Sequence, residues 1–125
     1  MYQTNLAYQA YQQNQVSTAS PEKLVVMLYD GSIRFLLGAE TAFQEKDYEG
    51  MHHNLVKAQA IIFELMANVD QSAGEIGEQL YLLYDFMYQR LVEANLKKDP
   101  AVVTEVKELL FTLKETWAQA IKLAK

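Results

Sequence analysis

The stretch SPEKLVVMLYDGSIRFLLGA, residues 20–39, decides the fold class of this chain. Ser20, Pro21 and Glu22 form a helix start: an N-cap residue, a proline at the first helical position and an acid in the first turn. Apolar residues then recur on nearly every side of the helix, and polar ones concentrate around Asp30 and Arg34, which we expect to form an i, i+4 ion pair. A helix this apolar must be covered by neighbours, so the stretch predicts a helical bundle.

Similar signals recur along the chain. Asp99 precedes Pro100 as Ser20 precedes Pro21, Ser72 and Glu75 match a capping box, and Asp47 is a candidate N-cap. The gaps fall around 46–48, 69–73 and 97–99. They are short, and short connections make sequential helices antiparallel. The sequence therefore predicts an all-α protein, an antiparallel up-down-up-down four-helix bundle over residues 20–125, with a short N-terminal capping segment at residues 1–19.

Composition excludes several classes of protein and site. The chain has 125 residues, no cysteine and a net charge of −5. An acidic chain is a poor ligand for nucleic acid or for an anionic membrane surface, so we expect neither as a partner. The absence of cysteine excludes disulfides and thiolate metal sites and is typical of an intracellular protein. We expect a cytoplasmic protein with no signal peptide and no membrane span.

The helices carry more apolar surface than one small core can bury. Beyond the candidate core positions, further stripes occur on the first three helices, and they include Val25, Tyr29, Ile33, Leu36, Val56, Phe63, Tyr81, Tyr88 and Val92. Any one stripe at helical spacing is more often core than surface. Several surplus stripes together indicate an interaction surface, for which tyrosine is well suited.

The N-terminal segment is uncharged. Residues 1–21 hold three tyrosines and five glutamines and no Lys, Arg, Asp or Glu. Such a segment is easily desolvated, so it could rest on the surplus apolar surface as a plug. A polar, frayed terminus is the alternative, and the residues alone favour neither.

Catalytic and metal-binding patterns are weak. Glu49 and His52 match the Glu-x-x-His spacing of di-iron bundles, but the only other histidine is His53, next door. There is no nucleophile elbow, reactive cysteine or glycine-rich phosphate loop. We expect no enzymatic activity, no cofactor and no metal.

Four blocks of sequence carry a family resemblance: VSTASPEKLVVMLYDGSIRFLL at 16–37, KAQAII at 57–62, LYDFMYQRLVEAN at 83–95, and the single Trp117. In this order they closely resemble the flagellar export chaperones for flagellin, the FliS family. The resemblance implies a cytoplasmic four-helix bundle without enzymatic activity. It also implies binding of the disordered C-terminal region of flagellin, prevention of its premature polymerisation, and help in its delivery to the flagellar type III export gate.

The resemblance further implies an N-terminal segment, with a tyrosine similar to Tyr11, that covers part of the binding surface in the free state. The candidate contacts are then Tyr8 and Tyr11 in the plug, a groove of Val25, Tyr29, Ile33 and Leu36 on the first helix, and a path continued by Val56, Phe63, Tyr81, Tyr88 and Val92. The alternative interpretation is a self-associating bundle, a structural or regulatory interaction module whose surplus stripes pair with a second copy. A chaperone of this kind could also form a homodimer when it has no client.

Overall fold

The computed structural model describes residues 21–69 and 74–124, and this part of the chain is helical with no strand. The helices are α1 (Pro21–Gln44), α2 (Tyr48–Ala67), α3 (Glu75–Lys97) and α4 (Pro100–Ala124). The prediction of an all-α protein with four helices is confirmed. The N-terminal segment 1–19, with Tyr8 and Tyr11, lies outside the described residues.

The predicted caps explain where the helices begin. The Asp47 carboxylate accepts a hydrogen bond from the Gly50 N–H at 2.9 Å and caps α2. The Asp99 carboxylate accepts one from the Ala101 N–H at 3.0 Å at the start of α4. Lys98 ends α3 in the left-handed conformation, with φ of 52°. The proposed caps Ser20 and Ser72 lie outside the described residues.

Each helix packs against the two beside it, in the ring α1–α2–α3–α4. On α1 and α4, Asp30 pairs with Lys114 and Glu40 with Lys107, so residue numbers rise along one helix as they fall along the other. The two helices are therefore antiparallel, as an up-down-up-down bundle requires. The side of α1 that packs on α2 is tight, because a Cβ added at Gly38 would lie 2.6 Å from the Asn54 amide oxygen.

The core runs the length of the bundle and contains a pair of tyrosines. Tyr29 of α1 and Tyr84 of α3 are both buried, and their hydroxyls are hydrogen-bonded to each other across the bundle. Burial raises the pKa of both phenols, so both hydroxyls stay protonated near neutral pH. On α2 one stripe at helical spacing is buried throughout: Met51, Leu55, Ala58, Ile62 and Leu65.

The predicted groove on α1 needs correction. Tyr29, Ile33 and Leu36 are buried in the core and form no surface groove. These residues occupy positions i, i+4 and i+7, on the side of α1 that faces the other helices. The surface instead carries Met27 and Leu37, both more exposed. Sequence periodicity reveals two apolar sides of α1, but it does not say which of them faces inward.

The predicted ion pair within α1 also needs correction. The Asp30 carboxylate accepts a hydrogen bond from the Lys114 ammonium of α4 at 2.8 Å. This bond and the lysine charge hold the pKa of Asp30 below its usual value. Arg34 makes no salt bridge with any described residue, although its charge contributes to the same pKa shift.

Candidate functional site

The second and third helices meet along an apolar line at the surface, here called the α2–α3 seam: Val56, Phe63, Tyr81, Tyr88 and Val92. The rings of Phe63 and Tyr88 are 6.3 Å apart between centroids and tilted by 57°. One end of the seam is fixed by a hydrogen bond of 2.8 Å between the Asn95 amide nitrogen and His52 Nδ1. Val56 lies about one helical turn after His52, and Val92 lies about one turn before Asn95. Both valines therefore lie between this hydrogen bond and the aromatic pair.

The α2–α3 seam is open to solvent. Val56 is 45% exposed and Phe63 is 42% exposed, while Tyr81, Tyr88 and Val92 are partly buried. Among the described residues no salt bridge joins α2 to α3, whereas salt bridges join α1 to α4 and α3 to α4. Little desolvation of charge therefore opposes the burial of this surface by an apolar partner.

An apolar cavity lies at the end of the bundle where α1 and α3 begin and α2 and α4 end. Its volume is about 320 Å³, and all four helices line it: Val25, Leu28, Leu65, Asn68, Val69, Ile76, Gly77, Leu80, Tyr84 and Trp117. Two of its lining residues, Leu65 on α2 and Leu80 on α3, lie within one turn of Phe63 and Tyr81 of the α2–α3 seam. The cavity is large enough for an apolar side chain of a bound segment.

The predicted contact residues are divided by the structure into separate groups. The five residues of the α2–α3 seam come together at the surface, and Val25 lies at the rim of the end cavity. Tyr29, Ile33 and Leu36 lie in the core. Tyr8 and Tyr11 lie outside the described residues. Surface contact thus remains a prediction for the α2–α3 seam and for Val25.

Other exposed apolar side chains lie outside the predicted set of contact residues. On the outward side of α3, Leu82 is 56% exposed and Phe86 lies four residues further on. On the outward side of α4, Phe111 is 50% exposed. The i, i+4 spacing of Leu82 and Phe86 was the available signal, but Leu83 and Met87 beside them have the same spacing, and Met87 is buried.

No residue set in the described part of the chain suits a metal. No group of three or more His, Asp or Glu side chains there could hold an ion. Glu49 is the acid of the Glu-x-x-His match, but its carboxylate is paired with His53 and not with His52. The Glu49 oxygen lies 3.6 Å from His53 Nε2, and both side chains are exposed. No helix in the described ranges is long and apolar enough to cross a membrane.

The sequence of this chain matches a known family over nearly its whole length. The sequence model described as flagellar protein FliS matches residues 3–124. This chain belongs to the FliS family. The family is one of chaperones and is not enzymatic.

Curated FliS relatives are similar over most of the chain. The flagellar secretion chaperone FliS of Bacillus subtilis is 41% identical over 115 residues, which cover 92% of this chain and 86% of that protein. The protein of the same name from Campylobacter jejuni is 37% identical over 118 residues, or 94% of this chain and 92% of its own length. That of Salmonella typhimurium is 40% identical over 106 residues, or 83% and 78%.

Proposed function

We propose that this FliS chain is a cytoplasmic secretion chaperone for flagellin. It binds the disordered C-terminal region of flagellin, keeps that region from polymerising, and assists its delivery to the flagellar type III export apparatus. Two facts support the proposal: the FliS relatives are named flagellar secretion chaperones, and the chain has an open apolar surface fit for a polypeptide. The single observation that carries the proposed binding site is the exposure of Phe63 and Val56 on the α2–α3 seam.

The shape of the surface favours an extended or helical segment over a small molecule. The line from Val56 to Tyr81 runs along two helices, so it offers apolar contacts at successive turns. A disordered client loses conformational entropy when it binds, and it needs a contact on the order of 1,000–3,000 Å² to offset that loss. A short seam alone is too small, so we expect the client to continue past the end cavity.

The N-terminal segment fits this proposal as a displaceable cover. α1 begins at Pro21, about one turn before Val25, which lines the end cavity. We propose that this segment, with Tyr8 and Tyr11, covers part of the apolar surface while no client is bound. Such a cover lowers the apparent affinity for the client by the free energy needed to remove it.

Calorimetric titration of the full chain with the C-terminal segment of flagellin from the same organism tests the proposal. We expect one-to-one binding and no binding of a flagellin N-terminal segment of equal length. We also expect the chain without residues 1–15 to bind the C-terminal segment at least as tightly. If the full chain shows no binding of that segment at about 0.1 mM, its dissociation constant is too high for a chaperone, and the proposed function is contradicted. Weaker binding by the truncated chain alone would contradict only the proposed cover.

A further inference from the structure

The wall of the end cavity is apolar except for a few polar atoms. Among the described residues that line it, only Asn68, Tyr84 and Trp117 have a polar atom in the side chain. Asn68 is exposed, and its amide nitrogen donates a hydrogen bond to the backbone oxygen of Glu64 at 2.8 Å. Tyr84 is only 2% exposed, so it belongs to the inner part of the wall.

The hydroxyl of Tyr84 belongs to a buried pair that has a hydrogen to spare. The hydroxyls of Tyr29 and Tyr84 are hydrogen-bonded to each other, and either oxygen can be the donor. Each hydroxyl carries one hydrogen, and a single bond between them uses only one of the two. The hydrogen bonds of the described residues include no acceptor for the other. A buried hydroxyl hydrogen without an acceptor costs about 1–3 kcal/mol.

The positions of the two tyrosines decide where the second hydrogen finds an acceptor. Tyr29 is fully buried and is not among the described lining residues of the cavity, whereas Tyr84 is one of them. If Tyr84 donated to Tyr29, the Tyr29 hydrogen would be left in the closed core. If Tyr29 donates to Tyr84, the Tyr84 hydrogen turns to the cavity, where an acceptor can reach it. Burial raises the pKa of Tyr84, so its hydroxyl keeps this hydrogen near neutral pH.

The rest of the wall restricts which group this hydrogen can bind. The described lining residues include no Lys, Arg or His, so no cation of the wall would offset the desolvation of an incoming carboxylate. An entirely apolar side chain would fill the cavity and exclude water, and the Tyr84 hydrogen would then stay without an acceptor. An apolar stem that ends in an uncharged acceptor satisfies both the wall and the hydroxyl.

We propose that the end cavity is a subsite for an uncharged hydrogen-bond acceptor on an apolar stem, and that the Tyr84 hydroxyl is the donor that selects it. The cavity volume of about 320 Å³ is sufficient for one side chain of this kind. The source of the group rests on the proposed function: it is an amide or hydroxyl oxygen on a side chain of the bound flagellin segment. The donor depends on the fold alone, so it can be tested without the client.

Two probe molecules of the same shape test the donor. Benzonitrile ends in a nitrile nitrogen, which is an uncharged acceptor, and phenylacetylene has a C–H group in the same place. Trp117 is the single tryptophan and lines the cavity, so the NMR signal of its indole N–H reports binding there. Tyr84→Phe should weaken the binding of benzonitrile by about threefold to tenfold, as expected for the loss of one hydrogen bond. The binding of phenylacetylene should be unchanged.

Tyr48→Phe is the matched control for this titration. Tyr48 is exposed and begins α2, so it lies at the opposite end of the bundle from the cavity. Its loss of a hydroxyl should change the affinity for neither probe. Equal weakening of both probes by Tyr84→Phe would mean that the hydroxyl only maintains the shape of the cavity, and it would overturn the proposal. An unchanged affinity for benzonitrile would also overturn it, as would a wild-type chain that binds neither probe up to the solubility of each.

The same variants separate this inference from the proposed function. In calorimetric titration with the C-terminal segment of flagellin, Tyr84→Phe should bind about threefold to tenfold more weakly than the wild type, and Tyr48→Phe should bind equally well. If Tyr84→Phe and the wild type bind the segment equally, the donor has no role in client recognition and the proposed function stands. If the chain binds no flagellin segment but shows the difference between the probes, the proposed function fails and the preference of the cavity for an acceptor stands.

Discussion

The line where α1 packs against α4, here called the α1–α4 seam and marked by Asp30, Glu40, Lys107 and Lys114, lies on the opposite side of the bundle from the α2–α3 seam and is built from different chemistry. The first is crossed by the salt bridges of Asp30 and Glu40 with two lysines of α4. The second carries a tilted pair of aromatic rings, and its described residues include no salt bridge between the two helices. Ion pairs at the surface fix the relative register of two helices at little net gain in stability.

The difference teaches how a small bundle can stay folded and still offer apolar surface. The aromatic seam is available because its helices are held by the core beneath it, where Leu55, Met87 and Leu91 are fully buried. An apolar partner on that seam displaces water and no ion. The charged seam resists such a partner, because its ions would have to be desolvated. Variants on the two seams should therefore have different effects.

The largest expected effect is on the free energy of unfolding, and it separates a tyrosine of the core from a tyrosine of the α2–α3 seam. Tyr29→Ala removes a fully buried ring and leaves the Tyr84 hydroxyl without its partner, so it should lower the free energy of unfolding by about 3–5 kcal/mol. Tyr88→Ala, on the α2–α3 seam, is the matched control and should cost about 1–2 kcal/mol at most, because its ring is partly exposed. Urea denaturation followed by circular dichroism measures both. Equal losses would mean that the α2–α3 seam is part of the core.

The tyrosines also show what the sequence alone could predict. Helix number, helix boundaries near Asp47 and Asp99, and the buried stripe of α2 all follow from caps and from helical spacing. Those signals lie in residues close together in the sequence, so they can be recognised without knowing how the helices pack. Which side of α1 faces the core depends on the other helices and cannot be recognised in that way. Tyr29 sits in the core because Tyr84 on α3 lies opposite and satisfies its hydroxyl, and no spacing within α1 encodes that contact.

The candidate site was predictable in part for the same reason. The stripe containing Val56 and Phe63 is offset from the α2 core stripe, so its exposure follows from the single amphipathic face of that helix. The exposure of Leu37 and Phe111 could not be predicted, since it depends on how the salt bridges set the distance and rotation of α1 and α4. The end cavity depends on all four helices and has no signature in any one of them.

The second expected effect is on client binding. Phe63→Glu places a charge on the α2–α3 seam that a bound apolar segment would bury, so it should weaken binding of the flagellin C-terminal segment by about tenfold to a hundredfold. Helicity should be unchanged, because the side chain is exposed. Leu37→Glu on the α1–α4 seam is the control and should bind the segment like the wild type. Calorimetric titration measures the binding of both variants. If only Leu37→Glu lost binding, the client would bind the α1–α4 seam and not the α2–α3 seam.

A smaller effect is expected at the better-protected salt bridge of the α1–α4 seam. The Glu40 carboxylate accepts hydrogen bonds from the Lys107 ammonium at 2.7 Å and from the Thr104 hydroxyl at 2.5 Å, and its side chain is 18% exposed. Glu40→Ala should lower the free energy of unfolding by about 1–2 kcal/mol, as expected for the loss of charge-assisted bonds. Glu108→Ala, with no salt bridge to a described residue, serves as the control and should be near neutral. Thermal unfolding at low protein concentration distinguishes them, and a neutral Glu40→Ala would show that the core alone holds α1 against α4.

The smallest effect is the pH dependence that Asp30 contributes to the charged seam. The hydrogen bond from Lys114 holds the pKa of Asp30 below its usual value. Because the folded pKa is depressed, the stabilisation is present above the unfolded pKa of about 3.9 and is lost as the pH falls through the folded pKa. Asp30→Asn should therefore reduce stability at pH 6 by less than about 1 kcal/mol, because nearly half of the Asp30 side chain is exposed. The difference from the wild type should shrink as the pH falls from about 4 to about 2. Denaturation at a series of pH values, at concentrations that keep the chain monomeric, measures that difference. A difference that stays constant across this range would mean that Asp30 stabilises the seam by packing and not by charge.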